Sequence, residues 1–290
     1  MKHFFVSIAQ LLTFVAVSGS SLAGDDFQVL KGPYLGQTPP GLTPEVFAPN
    51  IISTKGWEVS GVFGPDMKEF YYIRENAETK KQELVLVEYK DNRWNEKAVS
   101  PRRGTPTFSP DGMTMHLGGR YKERSDGGWS EIKSLGSPFE EIEIMRLTSS
   151  SKGTYTFDEI GMPGGVGIIR YSQLVDGKRE EPKSFGKEIN TGTFNAHPYI
   201  APDESYIIWD GRRESGYGGS DLYISFQQKD GSWSDAINMG DQINSEDWDA
   251  VATVTPDGKY LIFNRMVDRE TENVDLFWVD AQIIETLRPK

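Results

Sequence analysis

Past its first 23 residues the chain keeps two histidines, His116 and His197, has no cysteine, and scatters its carboxylates widely. That inventory narrows the chemistry. Without cysteine there is no disulfide, no thiolate metal ligand and no cysteine nucleophile. Two histidines cannot build a centre of three or four histidine ligands. A serine triad with His197 as its base lacks a context, since no G-x-S-x-G elbow occurs and no helix is expected after any candidate serine. Carboxylate and cation chemistry remain. Glu58, Glu143 and Asp249 could supply the two acids, about 5 to 9.5 Å apart, that glycoside hydrolysis requires. Arg103, Arg146, His197, Trp248 and Asp249 suit one small polar ligand, and an aromatic ring beside an acid suits a sugar. The run SEDWDA at 245–250 offers hard oxygen ligands for calcium but lacks the D-x-D-x-D-G loop. A solvated loop is the reading adopted there, with calcium left open, no metal site assigned and no cofactor expected.

Residues so far apart need a scaffold that gathers them, and repetition provides one. The stretch PTFSPDG at 106–112 returns as PYIAPDE at 198–204 and ATVTPDG at 252–258. The turn prolines Pro65, Pro110, Pro202 and Pro256 stand 45, 92 and 54 residues apart. The middle interval is two steps of about 46, and a degraded copy, SSSKGTYTFDE, fills the gap near residue 152. Pro presets φ, Asp bonds the local backbone and Gly accepts positive φ, so each copy is read as a tight hairpin. Three further phrases keep step with it. EFYYIR, MTMHLGGR, SYIIWDGR and KYLIFNR follow the turn; ELVLVEY, DLYISF and DLFWVD alternate; DNRWNEKAV, DGGWSEIKSLG, DGKREEPKSFG and DGSWSDAINMG carry Trp or a polar substitute.

Four short strands every 46 residues make one blade of a β-propeller, whose radial repetition protects its sheet edges. Five blades are counted, with a six-bladed ring left open. The second is expected to have a short or missing third strand. The fifth lacks a fourth, and the N-terminal stretch 41–53 is expected to close the ring by supplying it. Residues 24–44 are read as a Pro/Gly-rich arm and 45–290 as the propeller domain. Within each blade the strand nearest the axis should begin at Glu58, Arg103, Ile144, Asn195 and Asp249, and two residues on at Ser60, Thr105, Arg146, His197 and Val251. These ten positions would ring the mouth of the central channel.

The SPDG turn followed by KYLIF and DLYIS resembles the WD40-like, TolB-type (PD40) repeat of bacterial envelope proteins. The resemblance covers most of residues 45–281 and is closest over residues 203–244 and the final blade. It implies a propeller whose relatives range from periplasmic partner-binding scaffolds to lyases and peptidase domains. Neither an amino-terminal domain of the TolB kind nor a peptidase domain is recognised beside the ring.

Residues 1–23 read as a signal peptide, with MKHF as the positive end, FFVSIAQLLTFVAV as the apolar core and cleavage expected before Gly24. No later stretch is long and apolar enough to span a bilayer. A periplasmic or secreted protein is expected. A formal charge of −12 disfavours nucleic acid, which needs clustered Lys and Arg. The glycine-rich stretch DGRRESGYGGSD at 210–221 has no strand-to-helix setting for phosphate and reads as a hairpin tip. The function expected is that of a binding module for a protein partner or a cell-envelope glycan at the channel mouth. A carboxylate-based glycan hydrolase and a purely structural envelope scaffold are the alternatives.

Overall fold

The computed structural model describes residues 30–290; the expected signal peptide and the first residues of the arm lie outside them. Strand β1 (Glu45–Val46) comes first. Blade 1 holds β2 (Glu58–Phe63), β3 (Glu69–Glu75), β4 (Gln82–Lys90) and β5 (Arg93–Pro101). Blade 2 holds β6 (Pro106–Phe108), β7 (Thr114–Leu117), β8 (Arg120–Ser125), β9 (Gly128–Trp129) and β10 (Lys133–Ser134). Blade 3 holds β11 (Leu147–Ser149), β12 (Tyr155–Met162) and β13 (Val166–Ser172), a side hairpin of β14 (Leu174–Val175) with β15 (Lys178–Arg179), and β16 (Lys183–Ser184). Blade 4 holds β17 (Phe194–Ile200), β18 (Tyr206–Arg212), β19 (Asp221–Phe226) and β20 (Ile237–Asn238). Blade 5 holds β21 (Asp249–Val254), β22 (Tyr260–Asp268) and β23 (Asn273–Asp280), and a short helix α1 (Gln282–Thr286) follows.

All blades are antiparallel meanders. The fifth is completed by β1, which pairs Glu45 with Trp278 and Val46 with Phe277. The ring is therefore five-bladed and closed by its N-terminal strand, as the sequence predicts. Tyr34 and Leu35 of the expected arm are buried in this closure seam beside Phe47, Phe63, Phe70 and Trp278. In blade 2 the third strand is neither short nor missing: β8 runs for six residues. Its sequence, RYKERS, is almost wholly polar and so carries no alternation to read.

The turn phrase is the inner hairpin of every blade. Met67, Gly112, Gly153, Glu204 and Gly258 occupy its last position with positive φ. Each donates its N–H to the carbonyl three residues earlier, namely Gly64, Ser109, Ser150, Ala201 and Thr255. The degraded copy Ser151-Lys152-Gly153 thus makes the same turn as Pro-Asp-Gly.

Candidate functional site

The innermost strands carry a bulge that sequence alone did not announce. Ser60, His197 and Val251, at one repeat position, all adopt left-handed φ, at 64°, 48° and 56°. The register slips there between Val59 and Val62, Ala196 and Tyr199, and Ala250 and Thr253. The slip turns each bulge N–H towards the neighbouring blade, where a side chain on the second strand accepts it. Asp158 Oδ2 takes the N–H of His197 at 2.9 Å, Asp210 Oδ1 that of Val251 at 3.0 Å, and Asn264 Oδ1 that of Ser60 at 3.2 Å. Asp158, Asp210 and Asn264 are the residues sequence reasoning missed. The signal was present in TFDE, IIWDGR and LIFNR, which align their polar residue at one place. Ile73 and Gly118 stand there in blades 1 and 2, so three seams are clamped in this way and two are not.

Arg146 fills the space these clamps enclose. It is 2 % exposed, and its Nη1 donates to the carbonyls of Ala252 at 2.7 Å and His197 at 3.3 Å. Burial lowers its pKa to about 10, against the opposing pull of Asp210 and Asp158. His197 Nδ1 lies 2.9 Å from Asp210 Oδ1. Burial works against the charged imidazole, but the Asp210 charge and its hydrogen bond outweigh it and hold the pKa above the ordinary value. Burial raises Asp158, whose Oδ1 also accepts the N–H groups of Met145 and Arg146. Arg146 and His197 are therefore brought together as a packed polar plug of the channel.

One step outward lie the residues that begin the strands. Asp249 is fully buried; Oδ1 accepts from Arg265 Nε at 2.7 Å, and Oδ2 from the N–H and hydroxyl of Ser245, both at 2.6 Å. Burial still raises its pKa, with Arg265 opposing. Glu58 repeats the arrangement in blade 1, accepting from the N–H and hydroxyl of Thr54. Burial raises it too. Both acids thus cap the loop four residues before them. Arg103 is exposed over the seam between blades 1 and 2, and Glu143 is exposed against Gly161.

The outermost position of the same ring is aromatic in three consecutive blades: Phe194, Trp248 and Trp57, all half-buried. Trp57 and Trp248 rest on the cluster containing Val274, and the Arg102 guanidinium sits 5.9 Å from the Trp57 ring centre. Trp57 bridges Val274 and Gly56 accepts the Val274 N–H, which sets Glu58 beside Asp275. Asp275 is 7 % exposed, and its Oδ1 is buried without a hydrogen-bond partner among the described residues. Burial and the Glu58 charge raise its pKa to about 6. No group of three or more His, Asp or Glu side chains able to hold a metal ion occurs among the described residues, and none of their helices is long and apolar enough to cross a membrane.

No family model and no curated protein matches the chain. Solved structures do. TolB from Acinetobacter baumannii is similar at a TM-score of 0.45 and 16% identity, over 77% of this chain and 54% of that one, so the chain spans about half its length. A putative TolB from Agrobacterium tumefaciens gives 0.46 and 16%, over 78% of each chain. The catalytic domain of the Coprinopsis cinerea GH62 α-L-arabinofuranosidase gives 0.50 and 10%, over 83% and 97%. At these identities the likeness is one of fold alone.

Proposed function

We propose that the mature chain, from Gly24, is an exported propeller binding module that recognises a cell-envelope glycan at the mouth of its channel. The arm 24–44 and the ring 45–290 make up this unit. The observation that carries the reading is the aromatic crescent of Trp57, Trp248 and Phe194, half-buried at equivalent positions around one mouth. Flat rings held on a rigid scaffold stack on sugar faces with little loss of side-chain freedom. Arg103 contacts the ligand from the unclamped side. Asp249, His197 and Arg146 position the crescent from below, with Asp249 bonded to Ser245 and Arg265, His197 Nδ1 to Asp210, and Arg146 Nη1 to the Ala252 and His197 carbonyls. A protein partner is the reading that replaces this one if sugars fail.

The test is titration of the mature protein with muropeptides and neutral envelope oligosaccharides, followed by thermal shift. A ligand at 100 times its dissociation constant adds about 2.7 kcal/mol. Trp57→Ala and Trp248→Ala should each weaken binding by tenfold or more while the fold persists. A flat response to every glycan, together with capture of an envelope protein that survives both substitutions, sinks the proposal.

Asp275 favours a second reading, that of a carboxylate-based hydrolase. A buried acid beside a second carboxylate, able to keep its proton near neutral pH, is equipped as a general acid. Release of reducing ends from an oligosaccharide, lost in Asp275→Asn and Glu58→Gln but not in Asp249→Asn, would favour it. Absence of any turnover removes it.

A further inference from the structure

Three repeat positions meet at four of the five seams between blades, and at one of these seams all three are polar. Between blades 1 and 2 they are Tyr71, Phe108 and Trp129, a packed trio in which Trp129 Nε1 donates to the Tyr71 hydroxyl at 3.2 Å. Between blades 5 and 1 they are Ile262, Phe63 and Trp94; between blades 3 and 4, Thr156, Ile200 and Trp233. The cross-strand register confirms the equivalence, pairing Val62 with Tyr71, Thr107 with His116, Tyr199 with Ile208 and Thr253 with Ile262. Between blades 2 and 3 the trio is His116, Ser149 and Arg179. All three line one cleft of about 430 Å³ on the turn side of the ring, away from the mouth.

The details suit an anion. Arg179 lies flat on the Tyr155 ring, 3.5 Å from its centre, and Nη1 is fixed by the carbonyls of Gly153 at 2.6 Å and Ser172 at 2.9 Å. Apart from the neighbouring Tyr155 hydroxyl, Nε and Nη2 meet no acceptor among the described residues, so a guanidinium edge stays available for the paired hydrogen bonds an oxyanion accepts. His116 is 1 % exposed, its Nε2 stands 3.4 Å from Ser149 Oγ, and its Nδ1 has no partner among the described residues. Nothing among those residues therefore fixes the tautomer. With the proton on Nε2, the ring donates to Ser149 and frees the serine hydroxyl to donate into the cleft. Ser151, on the adjoining turn, is exposed. Asp111 also lines the cleft, but its Oδ1 is spent on Ser109 Oγ and Met113 N–H as the cap of its turn. Three simultaneous departures from an apolar pattern, converging on one opening, mark a place where local packing rules yield to a ligand.

We propose that the cleft between blades 2 and 3 binds a small oxyanion, a carboxylate or phosphate group, on the Arg179 guanidinium edge and the Ser149 hydroxyl. The site is separate from the mouth and stands whether or not a glycan binds there. The experiment is an amide NMR titration of the mature chain with sodium phosphate and, separately, sodium succinate, at ionic strength matched with sodium chloride. Saturable shifts centred on Ser149, Ser151, Tyr155 and Arg179 are expected with at least one probe, and the two arms tell phosphate from carboxylate. Arg179→Trp, which installs the residue of blades 1, 2 and 4, should weaken that binding at least tenfold; if it does not fold, Arg179→Gln serves the same purpose. No saturable shift with either probe, shifts centred elsewhere, or binding undiminished in the variant overturns the proposal.

Discussion

The seam between blades 1 and 2 and the seam between blades 2 and 3 use the same backbone positions for opposite ends. One stacks Tyr71, Phe108 and Trp129 into a continuous aromatic contact; the other holds His116, Ser149 and Arg179 around an opening. Neither seam has the side-chain clamp of the others, since Ile73 and Gly118 replace the Asp or Asn. The first is held instead by aromatic packing, by the Trp129–Tyr71 hydrogen bond and by the ion pair of Arg124 with Glu69. The second compensates through backbone: Gly118, at φ 66°, approaches the Ile144 carbonyl too closely for any Cβ, and Thr105 N–H bonds Met145 O. A propeller can thus vary one seam with little effect on the next, because outside the centre, where Arg146 of blade 3 reaches the Ala252 carbonyl of blade 5, each blade packs on its two neighbours.

The largest effect should come from making the packed seam resemble the open one. Tyr71 is 2 % exposed and carries both the stack and the Trp129 hydrogen bond. Tyr71→Ala should cost about 3–5 kcal/mol, as truncation of a buried aromatic does. Thr156→Ala, at the same position two seams on, should cost far less, because its buried hydroxyl already lacks a partner among the described residues. Urea midpoints of the two variants test this, and equal losses would break the idea that these seams are stabilised differently.

Acid should distinguish the seams next. Burial, aided by the Arg179 charge, lowers the His116 pKa from the model-peptide 6.5 to about 4. Between those values the unfolded chain binds a proton that the folded chain refuses. Stability from this group is thus full above about pH 6.5 and falls as the pH drops towards 4, by about 1.4 kcal/mol per unit at most. His116→Ile, the residue of blades 4 and 5, should remove that slope. Stability curves measured from pH 4 to 7 check it, and an unchanged slope in the variant refutes it.

How much of this could be read in the chain follows from where the information lies. The hairpin turn was legible because Pro, Asp and Gly are local requirements of one backbone shape, and even SSSKG betrayed itself by its spacing. The missing fourth strand pointed to a donor within 41–53, of which Glu45–Val46 makes the pairing. Strand β8 was not legible, since RYKERS is half-exposed and has no apolar face to alternate. The ring-mouth positions fall on the innermost strands in blades 1, 4 and 5, whereas Arg103, Thr105, Ile144 and Arg146 precede β6 and β11; His197 and Arg146 are in contact. That Asp249 and Glu58 would be consumed by Ser245, Arg265 and Thr54 could not be seen, because a capping bond depends on loop path. The clamps of Asp158, Asp210 and Asn264 join a side chain to a bulge in another blade. The polar trio was half visible: Arg179 stands out as the substitute for Trp, whereas His116 and Ser149 acquire meaning only when all three positions share a seam.

A smaller effect separates the two seams flanking blade 5. Asp221 and Asp249 lie side by side between blades 4 and 5, as Asp275 and Glu58 do between blades 5 and 1. In the first pair every carboxylate is answered: Asp221 accepts from Tyr217 N–H, Gly218 N–H and Asn238, and Asp249 from Ser245 and Arg265. In the second, the loop before Asp275 does not fold back, Arg74 turns to Glu83 and Glu96, and Asp275 is left bare. Its raised pKa, about 6 against 3.8, means that the folded chain holds a proton the unfolded chain has released between those values. Stability from this group therefore falls as the pH rises from about 4 to 6 and stays low above, the reverse of His116. Asp275→Asn keeps the shape and removes the charge, so it should stabilise the ring at pH 7.5 by about 1–2 kcal/mol and do little at pH 4. Asp221→Asn, at the equivalent place, loses charge-assisted bonds and should destabilise at both. If the two substitutions move the urea midpoint the same way at pH 7.5, the seams are alike and Asp275 is not the unanswered charge of the closure.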